Sequence, residues 1–317
     1  MSDHGFTSAF ATELDAYLAF KENMGFYGSS RVWYLKQFDG YCAEGNHTVF
    51  DRSTVEGWVT VQLGRSGGYR SWMSYARDFG RWLRTNGVPD AYVLSGDWKA
   101  PFVPAHPYLL ARREIALFFD AAMALKAQSP WRWQAAAFFT LMHSCGLRTG
   151  EVRTLRTEHV DLDDGHVDIV WSKGNRSRRL PLTGEVIDVL DACDRMTRER
   201  FVSRRAFFIS ATGNQVTQAT VGVIFGRIWD QAGLARPVGG QQPRPYDFRH
   251  HFAYANIERW AREGKNVAAM LPYLSRYMGH ATFDSTYYYV HTSPDFMGSY
   301  AEVTRQGQSL LPEVGFE

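Results

Sequence analysis

Along the first quarter of the chain, apolar positions return every three or four places, the period of a helix with one buried face. Residues 8–86 read as four short helices, each opened by a start signal and closed by glycine or a polar turn. The third is expected to begin at Ser53-Thr54-Val55-Glu56, a capping box in which the Ser hydroxyl and the Glu carboxylate satisfy free backbone donors. The fourth follows Gly67-Gly68. There Trp72, Ala76, Phe79 and Leu83 form one apolar stripe, while Arg70, Arg77, Arg81 and Arg84 recur on another side, with only Asp78 and two tyrosines, Tyr69 and Tyr75, nearby. A solvated face explains such a row adequately; a helix that tracks phosphates explains it more sharply.

From Gly87 to Pro107 the helical period stops and Pro89, Pro101, Pro104 and Pro107 appear, which reads as a linker between domains. The boundary falls at residues 105/106, giving a helical domain with linker over 1–105 and a second domain over 106–317. The second opens with the helical pattern RREIALFFDAAMALKA, followed by WRWQAAAFFTLMHSC, apolar nearly all round and so expected to be buried. HVDIVWSKGNRSRRLPL then reads as two short strands about a Gly-Asn turn, a hairpin. Helices resume after it, with one more turn at Gly213-Asn214. The expected class is mainly α with a small β-hairpin or sheet.

Composition excludes several classes. With 45% hydrophobic positions in 317 residues, the chain has enough apolar surface for two cores and is not disordered. Three scattered cysteines and the absence of CxxC and HExxH spacings argue against a disulfide framework and a zinc site, so no metal and no cofactor are expected. No long apolar run suggests a membrane span, and the acidic N-terminus does not resemble a signal peptide, so a cytoplasmic protein is expected. A formal charge of +2 is too small to identify a polyanionic partner, which leaves the question to the distribution of charge.

The charge is concentrated in a few places. Residues 173–179 hold four cations, Lys173, Arg176, Arg178 and Arg179, and no acid, a positive wedge at the hairpin tip. Before it, Cys145-Gly146-Leu147-Arg148-Thr149-Gly150-Glu151 ends one helix and starts another, placing Arg148 where backbone donors and a guanidinium converge on an anion; a plain structural pair with Glu151 fits equally well. About a hundred residues on, Arg244-Pro245-Tyr246-Asp247-Phe248-Arg249-His250-His251 sets a second arginine at a helix start. Met278-Gly279-His280 closes a later helix, and Tyr287-Tyr288-Tyr289-Val290-His291 follows nine residues after the histidine. Two arginines, a lysine, a histidine and a tyrosine suit phosphoryl transfer. The arginines offset charge gathering on non-bridging oxygens, the tyrosine stores the bond as a phosphoester, and the lysine protonates the leaving oxygen.

In order and spacing these segments resemble a tyrosine recombinase of the phage integrase family. The motifs are GLRTGE with Arg148, SKGNRSRRLPL with Lys173, YDFRHHFA with Arg249, MGH with His280 and YYYVH with Tyr289. The resemblance covers the second domain and, more loosely, the four-helix first domain. It implies a SAM-like core-binding domain and a catalytic domain closing as a C-shaped clamp on double-stranded DNA at specific sites. It further implies strand cleavage through a 3′-phosphotyrosyl link, religation without ATP or metal, and a homotetramer on two synapsed sites, with room for accessory proteins. A nucleoid-associated enzyme that integrates, excises or transposes a mobile element is the corresponding role.

Two features depart from the family pattern. Tyr246 stands where a histidine is usual, and a phenol with pKa near ~10 accepts protons poorly at neutral pH. The 31-residue interval from Arg249 to His280 is long and is similar to that of recombinases carried by integrating elements. Tyr287, Tyr288, His143, His159 and one of His250 and His251 are assigned to packing, and Glu151 to orienting Arg148 or capping its helix. Two rival readings use the same fold: a DNA-binding regulator that no longer cuts, and a type IB topoisomerase working as a monomer. A C-terminal segment from Ser293 onward is expected to contact a neighbouring protomer.

Overall fold

The computed structural model describes residues 4–26, 28–65, 72–98, 107–172 and 176–280, together with Thr282, Thr286 and Tyr289; at 171, 172 and 176 it describes the backbone alone. Lys173, Arg70, the Arg176 side chain, Tyr287, Tyr288 and the segment from 290 onward therefore lie outside the described residues. Two compact units divide the chain, residues 1–104 and 105–317.

The first unit is four helices, α1 (Ala11–Asn23), α2 (Ser29–Glu44), α3 (Arg52–Arg65) and α4 (Met73–Thr85). Its core is aromatic, and the expected α4 stripe lies in it: Trp72 and Phe79 are fully buried and Ala76 and Leu83 nearly so. The start of α3 differs from expectation. Asp51 caps it, accepting from the Thr54 N–H at 2.8 Å and the Ser53 hydroxyl at 2.8 Å. Glu56 is engaged elsewhere, taking hydrogen bonds from Tyr92 Oη at 2.6 Å and Trp98 Nε1 at 3.2 Å.

That contact changes the reading of the linker. Ala91 and Leu94 are buried in the first core, and the Tyr92 N–H donates to the Phe50 carbonyl at 2.8 Å. The α4 arginines secure this segment. Arg77 donates to the carbonyls of Leu94, Ser95 and Trp98 at 2.9–3.2 Å, and Arg84 Nε to that of Ala91 at 2.7 Å. Arg77 and Arg84, expected to track phosphates, act in the fold as staples through these donors: extended chain beside a helix leaves carbonyls without strand partners, and guanidinium donors satisfy them. Arg81 stays exposed, 3.8 Å from Asp78.

The second unit packs α5 (Arg112–Met123), α6 (Trp131–Ser144), α8 (Gly184–Arg198), α9 (Gln218–Gln231) and α10 (Asp247–Arg262) around a second core. Helix α6 is buried on nearly every side, as its all-round apolarity predicts. Phe118, Phe139, Phe225 and Phe248 meet at its centre with ring centroids 5.0–6.0 Å apart. Short α7 (Thr149–Arg153) follows the turn at Gly146. Its φ of +60° favours glycine, and a side chain there would overlap the Phe252 ring. Helix α11 (Val267–Met278) packs on α10 in a satellite cluster that includes Tyr289.

The predicted hairpin is present as β2 (His166–Ser172) and β3 (Arg176–Pro181), and β1 (Val160–Asp161) adds an antiparallel third strand that the sequence did not signal. Pairs Val167↔Leu180 and Ile169↔Arg178 share the inner face, since paired residues point the same way. Asp168↔Arg179 face outward and join in a two-pronged ion pair at 2.8–2.9 Å. The parity of the strand therefore separates two neighbouring arginines.

Replacing Arg77 with Ala removes three charge-assisted hydrogen bonds, so the first unit should lose about 2–3 kcal/mol, measured by urea unfolding. A loss within error would return Arg77 to the solvent-facing role.

Candidate active site

The centre of the second unit is Glu151, whose side chain is 5% exposed and faces three arginines. As the third residue of α7 it reaches back to the Arg148 N–H at 2.8 Å, the carboxylate half of a capping box. The same carboxylate accepts from Arg148 Nη1 at 2.8 Å and from both Nη atoms of Arg178 at 2.9–3.0 Å; Arg249 Nη1 lies 3.9 Å away. Three guanidiniums share one carboxylate, leaving an excess of positive charge.

The second anchor is the C-terminal end of α11. A helix leaves its last carbonyls unpaired and carries partial negative charge there. Here three consecutive carbonyls each take one arginine at 2.8 Å: Tyr277 from Arg178 Nε, Met278 from Arg249 Nη2, Gly279 from Arg148 Nη2. Arg249 also donates to the Gly146 carbonyl and is wholly buried, because Phe248 beside it is set in the core. Gly279 takes the left-handed turn, φ +67°, that releases the chain toward His280.

His280 is 7% exposed, with Nδ1 2.6 Å from Thr286 Oγ1. Burial, then Arg249, Arg148 and Arg178, push its pKa down to about 3, so at neutral pH it is an uncharged imidazole. Tyr289, 2% exposed, stacks on it with centroids 6.0 Å apart and meets His250 and Tyr254 edge-on, each at 5.5 Å. Burial pushes the Tyr289 phenol upward, while Arg249 and Arg148 pull against it. Tyr246 is 36% exposed and touches His250, with centroids 4.9 Å apart.

Of the residues expected from sequence, Arg148, Arg249, His280 and Tyr289 converge, and Tyr246 joins them through His250. Arg178, expected at the DNA-binding tip, belongs instead to the buried cluster, because it sits on the inner face of β3. Arg179 is spent on Asp168 of the same hairpin. Glu151 performs both roles foreseen for it. The sequence reading missed Thr286, and it missed a groove of about 1070 Å³ lined by Arg148, Arg153, Arg156, Arg244 and Tyr246. The run Arg153-Thr154-Leu155-Arg156 and Arg244 before Tyr246 carried that signal. Asp161, Asp164 and His166, at the β1–β2 turn, are the described residues grouped closely enough to ligate a metal ion. No helix among the described residues is long and apolar enough to cross a membrane.

A sequence model described as "Phage integrase family" matches residues 110–295. Among curated proteins, two of Sinorhizobium fredii that carry integrase/recombinase names are similar. One, y4rE, is 33% identical over 62% of this chain and 63% of its own; the other, y4rB, is 30% identical over 71% and 74%. Tyrosine recombinase XerD of Bifidobacterium longum is 25% identical over 60% and 59%. The chain thus spans about three-fifths of y4rE and of this XerD. Its fold is shared with the Tn1549 transposon integrase in complex with transposon right end DNA, at TM-score 0.61 and 15% identity over 95% of this chain and 100% of that one. It is shared too with a lambda integrase tetramer bound to a Holliday junction, at TM-score 0.59 and 14% identity over 88% and 76%. The chain belongs to the phage integrase family, the tyrosine recombinases.

Four histidines carry lowered pKa values: His143 and His250 at about 4, His280 at about 3, and His251, lowered by burial. Below pH 6.5 the unfolded chain therefore binds more protons than the folded one. Their contribution to stability is complete above that pH and drains as pH falls toward 4, at about 1.4 kcal/mol per pH unit per histidine. His143, stacked on His251 and set among Phe119 and Phe248, isolates the effect from the site. His143→Gln should flatten the slope of unfolding free energy against pH between 6 and 4.5 by that amount; an unchanged slope would show an ordinary histidine.

Proposed function

We propose that this chain is a site-specific DNA strand transferase in which Tyr289 attacks a phosphodiester held by Arg148 and Arg249. The observation that carries the reading is the convergence of a buried phenol, a neutral imidazole and, among the described residues, three arginines that face the one carboxylate of Glu151. Tyr289 Oη forms the new bond to phosphorus and gives up its proton to water as the bond to the 5′ oxygen breaks. That oxygen leaves with a proton supplied by Lys173, and the strand carries a 3′-phosphotyrosyl link. One phosphoester replaces another, so the reverse attack by a 5′ hydroxyl rejoins DNA without an outside energy source.

Charge builds on the non-bridging oxygens as the nucleophile enters. Arg148 and Arg249, already fixed on carbonyls, meet it without reorganising. His280 adds a neutral hydrogen-bonding group whose ring is held by Thr286. An incoming phosphate also brings the negative charge that the cluster lacks. DNA then runs along the groove lined by Arg153, Arg156 and Arg244, whose guanidiniums take its phosphates. Four protomers on paired sites and a mobile-element substrate complete the reading; the integrase/recombinase names of the y4r relatives support the last. A silent DNA-binding regulator needs the cations but not Tyr289 among them, and a topoisomerase needs no second site.

The test is covalent capture on a suicide substrate carrying the recognised site. Tyr289→Phe should bind DNA and form no adduct, whereas Tyr287→Phe and Tyr288→Phe should still form one; an adduct mapped to either neighbour overturns the assignment. Exchange between two sites, rather than relaxation of supercoils by a monomer, separates the transferase from the topoisomerase.

The Tyr246 phenol stands at the rim, 36% exposed, and meets the His250 ring that packs on the nucleophile. Tyr246→His should keep cleavage near the parent rate, while Arg249→Ala should lose ~10² to 10³ in single-turnover rate. Loss of cleavage in Tyr246→His would give the phenol an essential role of its own.

A further inference from the structure

We propose that Arg178 is a positioning residue for strand cleavage: it fastens strand β3, which begins three residues after Lys173 in the chain, to α7 and to the end of α11. The inference rests on the reading of Lys173 as proton donor to the leaving oxygen. Its own ground is the fate of one guanidinium in a run of hairpin cations.

All three nitrogens of that guanidinium are committed to protein. Nε donates to the Tyr277 carbonyl at 2.8 Å, and the two Nη atoms donate to the two Glu151 oxygens at 3.0 and 2.9 Å. The side chain is 10% exposed. It also lies flat over Gly279: a Cβ built there would stand 2.8 Å from Nη1 and 3.1 Å from Cζ, so the absence of a side chain at 279 makes the seat. One residue of β3 is thereby fastened both to α7, which carries Arg148, and to the end of α11, which precedes His280.

The other described arginine of the hairpin does nothing of the kind. Arg179 points outward and pairs with Asp168, which ties β3 to β2 but not the hairpin to the site. The difference follows from strand parity, since Arg178 shares the inner face with Ile169 and Leu180. A phosphate ligand needs donors to spare, and a bidentate pair with a buried carboxylate leaves Arg178 few. What Arg178 has instead is geometry: β3 begins at Arg176, directly after the residues that include Lys173.

A proton donor is needed because the 5′ oxygen leaves poorly as an alkoxide. When sulfur replaces that bridging oxygen, the P–S bond breaks to give a thiolate that departs without a proton. A hairpin held out of place should therefore damage cleavage of the oxygen substrate and spare the sulfur one, whereas general loss of site structure damages both.

The experiment uses the full chain, a nicked suicide duplex with either 5′-bridging atom, and single-turnover adduct formation at saturating DNA. Arg178→Gln is expected to lose on the order of 10²-fold on oxygen, the scale of a small misplacement of a reacting group. On sulfur it should cut near the parent rate, and the salt dependence of its DNA affinity should not change. Arg178→Lys, which keeps a cation at Glu151, should fall between the two and show the same relief by sulfur; it answers the question if the glutamine variant does not fold. A salt slope reduced by about 0.9 would make Arg178 a phosphate contact and overturn the inference. An equal defect on both substrates would overturn it as well. Lys173→Ala keeps the two readings apart. If its defect is relieved by sulfur and that of Arg178→Gln is not, the lysine stands and this inference falls alone; if Lys173→Ala cuts the oxygen substrate at the parent rate, both fall.

Discussion

Three consecutive carbonyls at the end of α11, on Tyr277, Met278 and Gly279, each accept from a different arginine, and those arginines come from three separate parts of the chain. A helix end cannot satisfy its last carbonyls internally, and its dipole makes them a negative pole. The chain uses this ordinary deficit as a template. Arg148 arrives from the turn after α6, Arg178 from the inner face of β3 and Arg249 from the first turn of α10. Glu151 lies among all three. The sheet, the bundle and the satellite cluster are joined there.

An arrangement of this kind carries a cost that the proposed function explains. Burying Arg249 completely opposes its charge, and Arg148 beside it adds repulsion. One carboxylate and a few carbonyls do not balance three guanidiniums. Burial, with the same field behind it, keeps His280 neutral, and burial keeps Tyr289 protonated. Under the proposed function a phosphodiester brings negative charge to this place, so the resting electrostatics complement the proposed substrate.

The first unit uses arginine differently. On α4 the guanidiniums of Arg77 and Arg84 bind carbonyls of the 91–98 segment, so a row of positive charge in sequence becomes a set of braces in the fold. The charges on β3 divide in the same way, Arg178 inward and Arg179 outward. In both cases a donor-rich side chain meets unpaired carbonyls or a carboxylate close by, and the nearest acceptor takes it before any partner arrives.

Local rules sufficed for much of the molecule. Period and turn residues determined the helices of the first unit, the buried α6, the β2–β3 hairpin, the break at Gly146 and the helix ending at Gly279, because each depends on neighbours within a few positions. The order of the motifs was enough to single out Arg148, Arg249, His280 and Tyr289, residue types whose chemistry is legible without coordinates. Only the tertiary structure decided how the remaining cations are spent. Arg77 and Arg178 look like free charges in sequence, since the carbonyls they bind are 17 residues away for Leu94 and 99 residues away for Tyr277. A third strand as short as Val160–Asp161 carries no period of its own and exists by pairing with β2. The number of arginines was written in the chain, but which of them face an incoming anion depends on acceptors that meet them only when the chain has folded.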